Sequence, residues 1–169
     1  MKEVGLRYAG VAGLLFCVVF IVSYAIGVHP FIEMSHLFFD LFIYGLVIYF
    51  AVNEFKKLNN EGGLHFWQGM SIGFLVNMVS LTLYMIFLFI AMNFNDLILA
   101  DYKIQASDFL IVKSVQYIES YGADQYNQQV QAIEDTTILN MVFMAGVKKF
   151  ISGLFMTPLI SILLRRNYQ

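Results

Sequence analysis

Apolar residues do not alternate with polar ones along this chain in the short periods of a soluble domain; they run in blocks long enough to cross a bilayer. From Leu64 to Asn95 no side chain carries a charge apart from a protonated His65. Within that block Gly69, Gly73, Asn77, Ser80 and Tyr84 follow at spacings of four, four, three and four, which on a helix puts all five on one face. Small and polar residues on a single face of an apolar helix make a seam for a second helix.

Four such blocks are read as membrane spans, at about 8–28, 30–53, 64–94 and 144–164. The first is free of charge between Arg7 and Glu33, and is read as an uncleaved signal anchor with Lys2 and Arg7 kept in the cytoplasm rather than as a signal peptide. Pro30 suits the first position of the second helix. The connection NEFKKLNNEGG then brings Lys56 and Lys57 to the cytoplasmic side, with Asn59, Asn60, Gly62 and Gly63 supplying turn chemistry, and Trp67 is placed as an interfacial anchor. The last block contains Lys148 and Lys149 and ends at Arg165 and Arg166. Starting it near Met144 makes it about 31 Å long at ~1.5 Å per residue and leaves both lysine stems able to snorkel outward. Pro158 is expected to kink it, with Thr157 and Ser161 satisfying freed backbone groups.

Between the third and fourth blocks, 96–137 has a different character, polar and acidic. Ser107 or Asp108 can cap a helix with Ile111, Val115 and Ile118 on one face, Gly122 can end it, and Tyr126, Val130 and Ile133 repeat the pattern. The expected fold is therefore an all-α integral membrane protein: a single domain, a four-transmembrane-helix bundle with N and C termini cytoplasmic, and an external helical hairpin inserted between helices three and four.

Composition agrees with that reading. The 169 residues are 59% hydrophobic and 13% charged, against roughly 25% charged in an average soluble domain. Ten lysines and arginines against twelve acids leave no basic excess, so nucleic acid is not an expected partner. Cys17 is alone and forms no intramolecular disulfide.

The candidate chemistry lies in charges placed within the spans. Counted at ~1.5 Å per residue, Asp40 lies about 21 Å and Lys149 about 24 Å from the basic end of their helices, and Tyr84 about 25 Å along its own. A charge at the bilayer centre costs ~2.5–3.5 kcal/mol, so Asp40 and Lys149 are expected to pair, with the Tyr84 hydroxyl joining them and Lys148, turned ~100° away, facing headgroups. His29, Glu33, His36, Asp40 and Tyr44 form a titratable stripe; His29 and Glu33 are expected to face water, and the lone Glu-x-x-His step lacks the second one that a dimetal bundle site needs. No metal or cofactor is assigned. The seam residues Gly69, Gly73, Asn77 and Ser80 are matched by Gly153, Thr157 and Ser161, which favours packing within the bundle over homodimerisation, although a homo-oligomer stays open.

The run Phe55, Lys56, Lys57, Asn59, Gly63, Leu64, Phe66, Gln68, Gly69, Ile72, Gly73, Phe74 and Leu75, with the closing Pro158, Leu163, Leu164, Arg165 and Arg166, resembles the domain-of-unknown-function family numbered 4199, small four-helix membrane proteins found mainly in Bacteroidota. The resemblance implies the four-helix topology and an inner-membrane location, and carries no functional residue with it. No span holds a two-histidine zinc helix, a Gly-x-Ser-x-Gly elbow or a phosphate-cradling glycine loop, so an enzyme is not expected. The expected role is a non-catalytic accessory or structural subunit, in contact with the lipid bilayer and with a membrane protein partner. The alternative is a small proton- or ion-coupled transporter or channel using Asp40, His36 and Lys149.

Overall fold

A computed structural model describes residues 1–32, 35–59 and 62–165, apart from the side chains of Ser35 and Asn59. Among these residues it is all-helical: α1 Lys2–Ala25, α2 Ser35–Asn59, α3 Phe66–Phe94, α4 Leu97–Val112, α5 Ser114–Tyr121, α6 Ala123–Glu134 and α7 Ile138–Leu164. Four of them, α1, α2, α3 and α7, are long and apolar enough to cross a membrane, and the chain is a membrane protein on that ground.

These four form a ring in the order α1, α3, α7, α2. The register follows from the small residues. Gly69 faces Ser161, Gly73 faces Thr157 and Asn77 faces Gly153, so steps of four along α3 are matched by steps of four back along α7, and the two helices run antiparallel in close contact. Gly5 against Leu75 and Gly13 against Leu83 advance together, which makes α1 and α3 parallel neighbours. Gly45 lies against Met156 where α2 meets α7. The glycines supply close approach: a Cβ on Gly73 would lie 2.6 Å from Thr157 Cγ2, and one on Gly69 would lie 2.8 Å from Ser161 Oγ. In lipid such approach is what draws helices together, because dispersion and interhelical hydrogen bonds replace the hydrophobic effect. Large apolar side chains point away from the ring instead, among them Leu14, Phe38, Phe42 and Leu163.

Both ends of the ring are tied. At the end that holds Met1 and Arg165, Arg7 pairs with Glu54, Tyr8 donates to Glu54 Oε2 at 2.8 Å, and Lys56 Nζ donates to the Leu164 carbonyl at 3.0 Å. The Gln68 side chain accepts from His65 N at 2.9 Å and caps the start of α3. At the opposite end α4 packs back over the α1–α2 turn: Tyr24 donates to Asp101 Oδ2 at 2.7 Å, and His29 Nε2 lies 3.1 Å from the Ile98 carbonyl.

Several boundaries differ from those expected. Pro30 does not open α2; residues 30–32 are a turn closed by Ile32 N on the His29 carbonyl, and the helix starts at Ser35. The last helix begins six residues before Met144, at Ile138, because Thr137 Oγ1 accepts from Asn140 N and extends the helix upstream of the lysines. Pro158 sits within a continuous α7; Thr157 and Ser161 donate to the Gly153 and Thr157 carbonyls, both at 2.7 Å, rather than to that of Leu154, whose partner the proline removes.

The polar insertion holds three helices, not two. Its first starts at Leu97, well before Ser107, and a break at Lys113 separates α4 from α5. Its core is Ala106, Leu110 and Ile133 with Tyr102, Tyr117, Tyr126 and Val130. The face expected to pack inward does not: Ile111, Val115 and Ile118 are 61%, 69% and 40% exposed. The break at Lys113 prevents Ile111 and the two residues beyond it from sharing one helical face. Asn60, Glu33 and Arg166, all part of the expectations above, lie outside the described residues.

Candidate functional site

The polar groups of the spans gather along the α3–α7 seam and the side of α2 that meets it. On α7, Lys149 follows the small face of Gly153 and Thr157, whereas Lys148 is rotated by about 100°. Lys149 is 6% exposed and Asp40, on α2, is 9% exposed; Lys149 Nζ donates to Asp40 Oδ1 and the two form an ion pair. Two aromatic rings complete the ammonium's surroundings. Its nitrogen lies 3.7 Å from the Phe16 ring centroid and 4.3 Å from that of Tyr84. Each such contact contributes about 0.5–2 kcal/mol, toward the upper value when the cation is desolvated.

Tyr84 therefore meets Lys149 through its ring. The expected participation of its hydroxyl is not what the geometry gives: no hydrogen bond of that hydroxyl occurs among the described residues. Lys148 is exposed and donates to the Phe31 carbonyl at 3.3 Å, which holds the α1–α2 turn against α7. Phe16, one turn before Phe20 on α1, was not singled out from the sequence. The visible signal was the i, i+4 aromatic series Phe16, Phe20, Tyr24, hidden among many lipid-facing aromatics.

Below the pair, Asn77 Nδ2 donates to the Phe150 carbonyl at 3.1 Å, the cross-helix bond that the seam invites. Ser80 Oγ is 3.2 Å from the Asn77 carbonyl and 3.4 Å from the Tyr44 hydroxyl, so Tyr44 at the foot of the α2 stripe joins the seam. Above the pair opens a cavity of about 270 Å3 lined by Phe16, Phe20, Phe31, Leu37 and Ala145, with His36, Asp40, Tyr84, Lys148 and Lys149 in its wall.

The expected stripe is not continuous. His36, Asp40 and Tyr44 share α2, but His29 belongs to the preceding turn and Glu33 is outside the described residues. Nor does His29 face water: it is 1% exposed, covered by α4, with its ring 5.5 Å from that of Tyr102 and 5.6 Å from that of Phe31. Burial pushes the His29 pKa below its ordinary value, against the smaller raising effects of its contact with Ile98 and of Asp101, and burial likewise pushes Tyr102 up. Among the described residues no group of three or more His, Cys, Asp or Glu side chains is arranged to hold a metal ion.

Four long apolar helices with a buried ion pair define a small helical membrane protein. Its family follows from residues 7–166, which match the model of the family described as protein of unknown function, DUF4199; the chain belongs to that family. No curated protein and no solved structure matches it.

Proposed function

We propose that this is a non-catalytic protein of the bacterial inner membrane that serves as a structural or accessory subunit of a larger membrane complex. In this reading both termini are cytoplasmic and 96–137 is an external helical hairpin. Lys2, Arg7, Lys56, Lys57 and Arg165 at one end support that orientation, since basic residues remain in the cytoplasm. The opposite end carries seven acids against two lysines between Asp96 and Asp135.

The observation that carries the reading is the apolar surface of the hairpin. Outside the long spans, Ile111, Val112 and Val115 are 61%, 84% and 69% exposed, while α4 buries Ala106 and Leu110 and α5 half-buries Tyr117. Large apolar side chains left exposed among polar residues are the ordinary mark of a protein interface. Within the ring, by contrast, Asp40 and Lys149 neutralise each other and so orient the helices.

A second reading, a small proton- or ion-coupled transporter or channel using Asp40, His36 and Lys149, is favoured by the cavity at which those three meet. Purification from native membranes in mild detergent separates the two. A stoichiometric membrane partner supports the accessory role. Purified protein that drives proton or ion flux in liposomes, with flux abolished by Asp40→Asn, would establish transport instead.

A further inference from the structure

The cavity above the ion pair has features that scaffolding does not require. It is walled by side chains from all four long helices and the α1–α2 turn, most of them apolar or aromatic, yet two lysines, one aspartate and one histidine reach it. Among the described residues of the wall, counting His36 as neutral, Lys148 and Lys149 contribute two positive charges and Asp40 one negative, which leaves one positive charge in excess. Asp40 neutralises Lys149, with which it is paired and buried. The excess therefore resides on Lys148, whose ammonium spends one proton on the Phe31 carbonyl and retains two further donors.

An apolar pocket with few convergent polar groups is the usual form of a small-molecule site. Here the polar groups specify one anionic group and the rest of the wall an apolar body. At ~30 Å3 per water, 270 Å3 is on the order of nine waters, or a ligand of about ten heavy atoms. That matches a single short chain with its head.

We propose that this cavity binds a single-tailed anionic amphiphile, with its carboxylate or phosphate head held by Lys148 beside the Asp40–Lys149 pair and its tail among Phe16, Phe20, Phe31 and Leu37. Ala145 on α7 leaves the space for it; it is buried and lies in the wall. The site goes beyond the accessory role and stands or falls without it.

The test is equilibrium dialysis of labelled octanoate against the full chain in phosphatidylcholine nanodiscs, with empty discs subtracted. The expected result is saturable binding of one octanoate per protein, competed by octyl phosphate and not by octanol. Lys148→Gln weakens it about tenfold or more, the size of one lost charge-assisted hydrogen bond, while Lys148→Arg retains it. Ala145→Leu fills the space and abolishes binding. Preference for octanoate over octyl phosphate assigns a fatty-acid-like head, and the reverse preference a phosphate head. The proposal is overturned by the absence of saturable binding over empty discs, by equal competition from octanol, by unchanged affinity in Lys148→Gln, or by displacement of bound octanoate by phosphatidylglycerol added to the discs. Lys148 is exposed, so its substitution tests the site even where Ala145→Leu impairs folding.

Discussion

Separating Asp40 from Lys149 should cost far more when one partner is removed than when both are. Asp40→Asn leaves an ammonium 6% exposed and without its counter-ion. Stranding one member of a buried pair costs about 3–5 kcal/mol. The Phe16 and Tyr84 rings, at 3.7 and 4.3 Å from the nitrogen, remain and compensate part of that, which places Asp40→Asn near the lower value, about 3 kcal/mol. Lys149→Met leaves the buried Asp40 carboxylate without its counter-ion, and a similar loss of about 3 kcal/mol is expected. The double variant carries no charge at either position; replacing both partners of a buried pair is often close to neutral, and the amide that Asp40→Asn leaves buried brings the expected loss to about 1–2 kcal/mol. The coupling between the sites is then about 4 kcal/mol, well above the ~0.5 kcal/mol scatter of independent sites. Unfolding of the four proteins in mixed micelles of dodecyl maltoside with increasing dodecyl sulfate, followed by circular dichroism, measures it. A double variant whose loss equals the sum of the single losses would refute the pairing argument.

Three further outcomes follow from the same geometry. Gly73→Ala puts a methyl group 2.6 Å from Thr157 Cγ2, whose side chain is held by its bond to the Gly153 carbonyl, so about 1–3 kcal/mol of stability is lost in the same micelle assay. Gly10→Ala, with nothing within 4 Å of the added carbon, should be neutral or gain up to about 1 kcal/mol from helix propensity. His29 is faced by Tyr24 and Phe31, by Asp101 and Tyr102 on α4, and by the field of His36 on α2; burial dominates and favours its neutral form. Its folded pKa lies below its unfolded one, so the unfolded state binds more protons. The contribution is full above the ordinary histidine pKa of about 6.5 and is lost as pH falls through the depressed folded value. Hydrogen exchange of residues 97–112, corrected for intrinsic rates, should accelerate between pH 7.5 and 5 as α4 loosens from the turn; a His29→Phe variant should lose that dependence, and equal acceleration in both proteins would sink the argument.

The spans were legible because transfer to lipid acts on composition over about twenty residues, which no tertiary contact can disguise. The seam was legible for a related reason: glycine, serine and threonine on one face of an apolar helix have little use except close packing, and Gly69, Gly73 and Gly153 found theirs against Ser161, Thr157 and Asn77. What the sequence concealed was tertiary. His29 looks like a loop residue at the end of a span, and only the return of α4 over the turn buries it. The sequence starts the last helix near Met144, with the lysines just inside its outer boundary, yet Thr137 caps the helix further upstream and places them well inside it. In the insertion two apolar faces competed on equal periodicity, Ile111 with Val115 and Ile118 against Tyr102 with Ala106 and Leu110. The break at Lys113 decided for the second. Phe16 was hidden for another reason, since in a chain with seventeen phenylalanines a ring that covers a cation reads like one that meets lipid.

The accessory role rests on the uncovered apolar side chains of the insertion, and these can be altered without touching the spans. Ile111→Asp with Val115→Asp changes two exposed positions, so the fold should survive. Wild-type and variant chains, tagged and solubilised from native membranes, are compared by quantitative mass spectrometry. The account predicts a membrane protein recovered in stoichiometric amount with the wild-type chain and lost with the variant, at equal yield of the tagged protein. Recovery of the wild-type chain without any stoichiometric partner would contradict it.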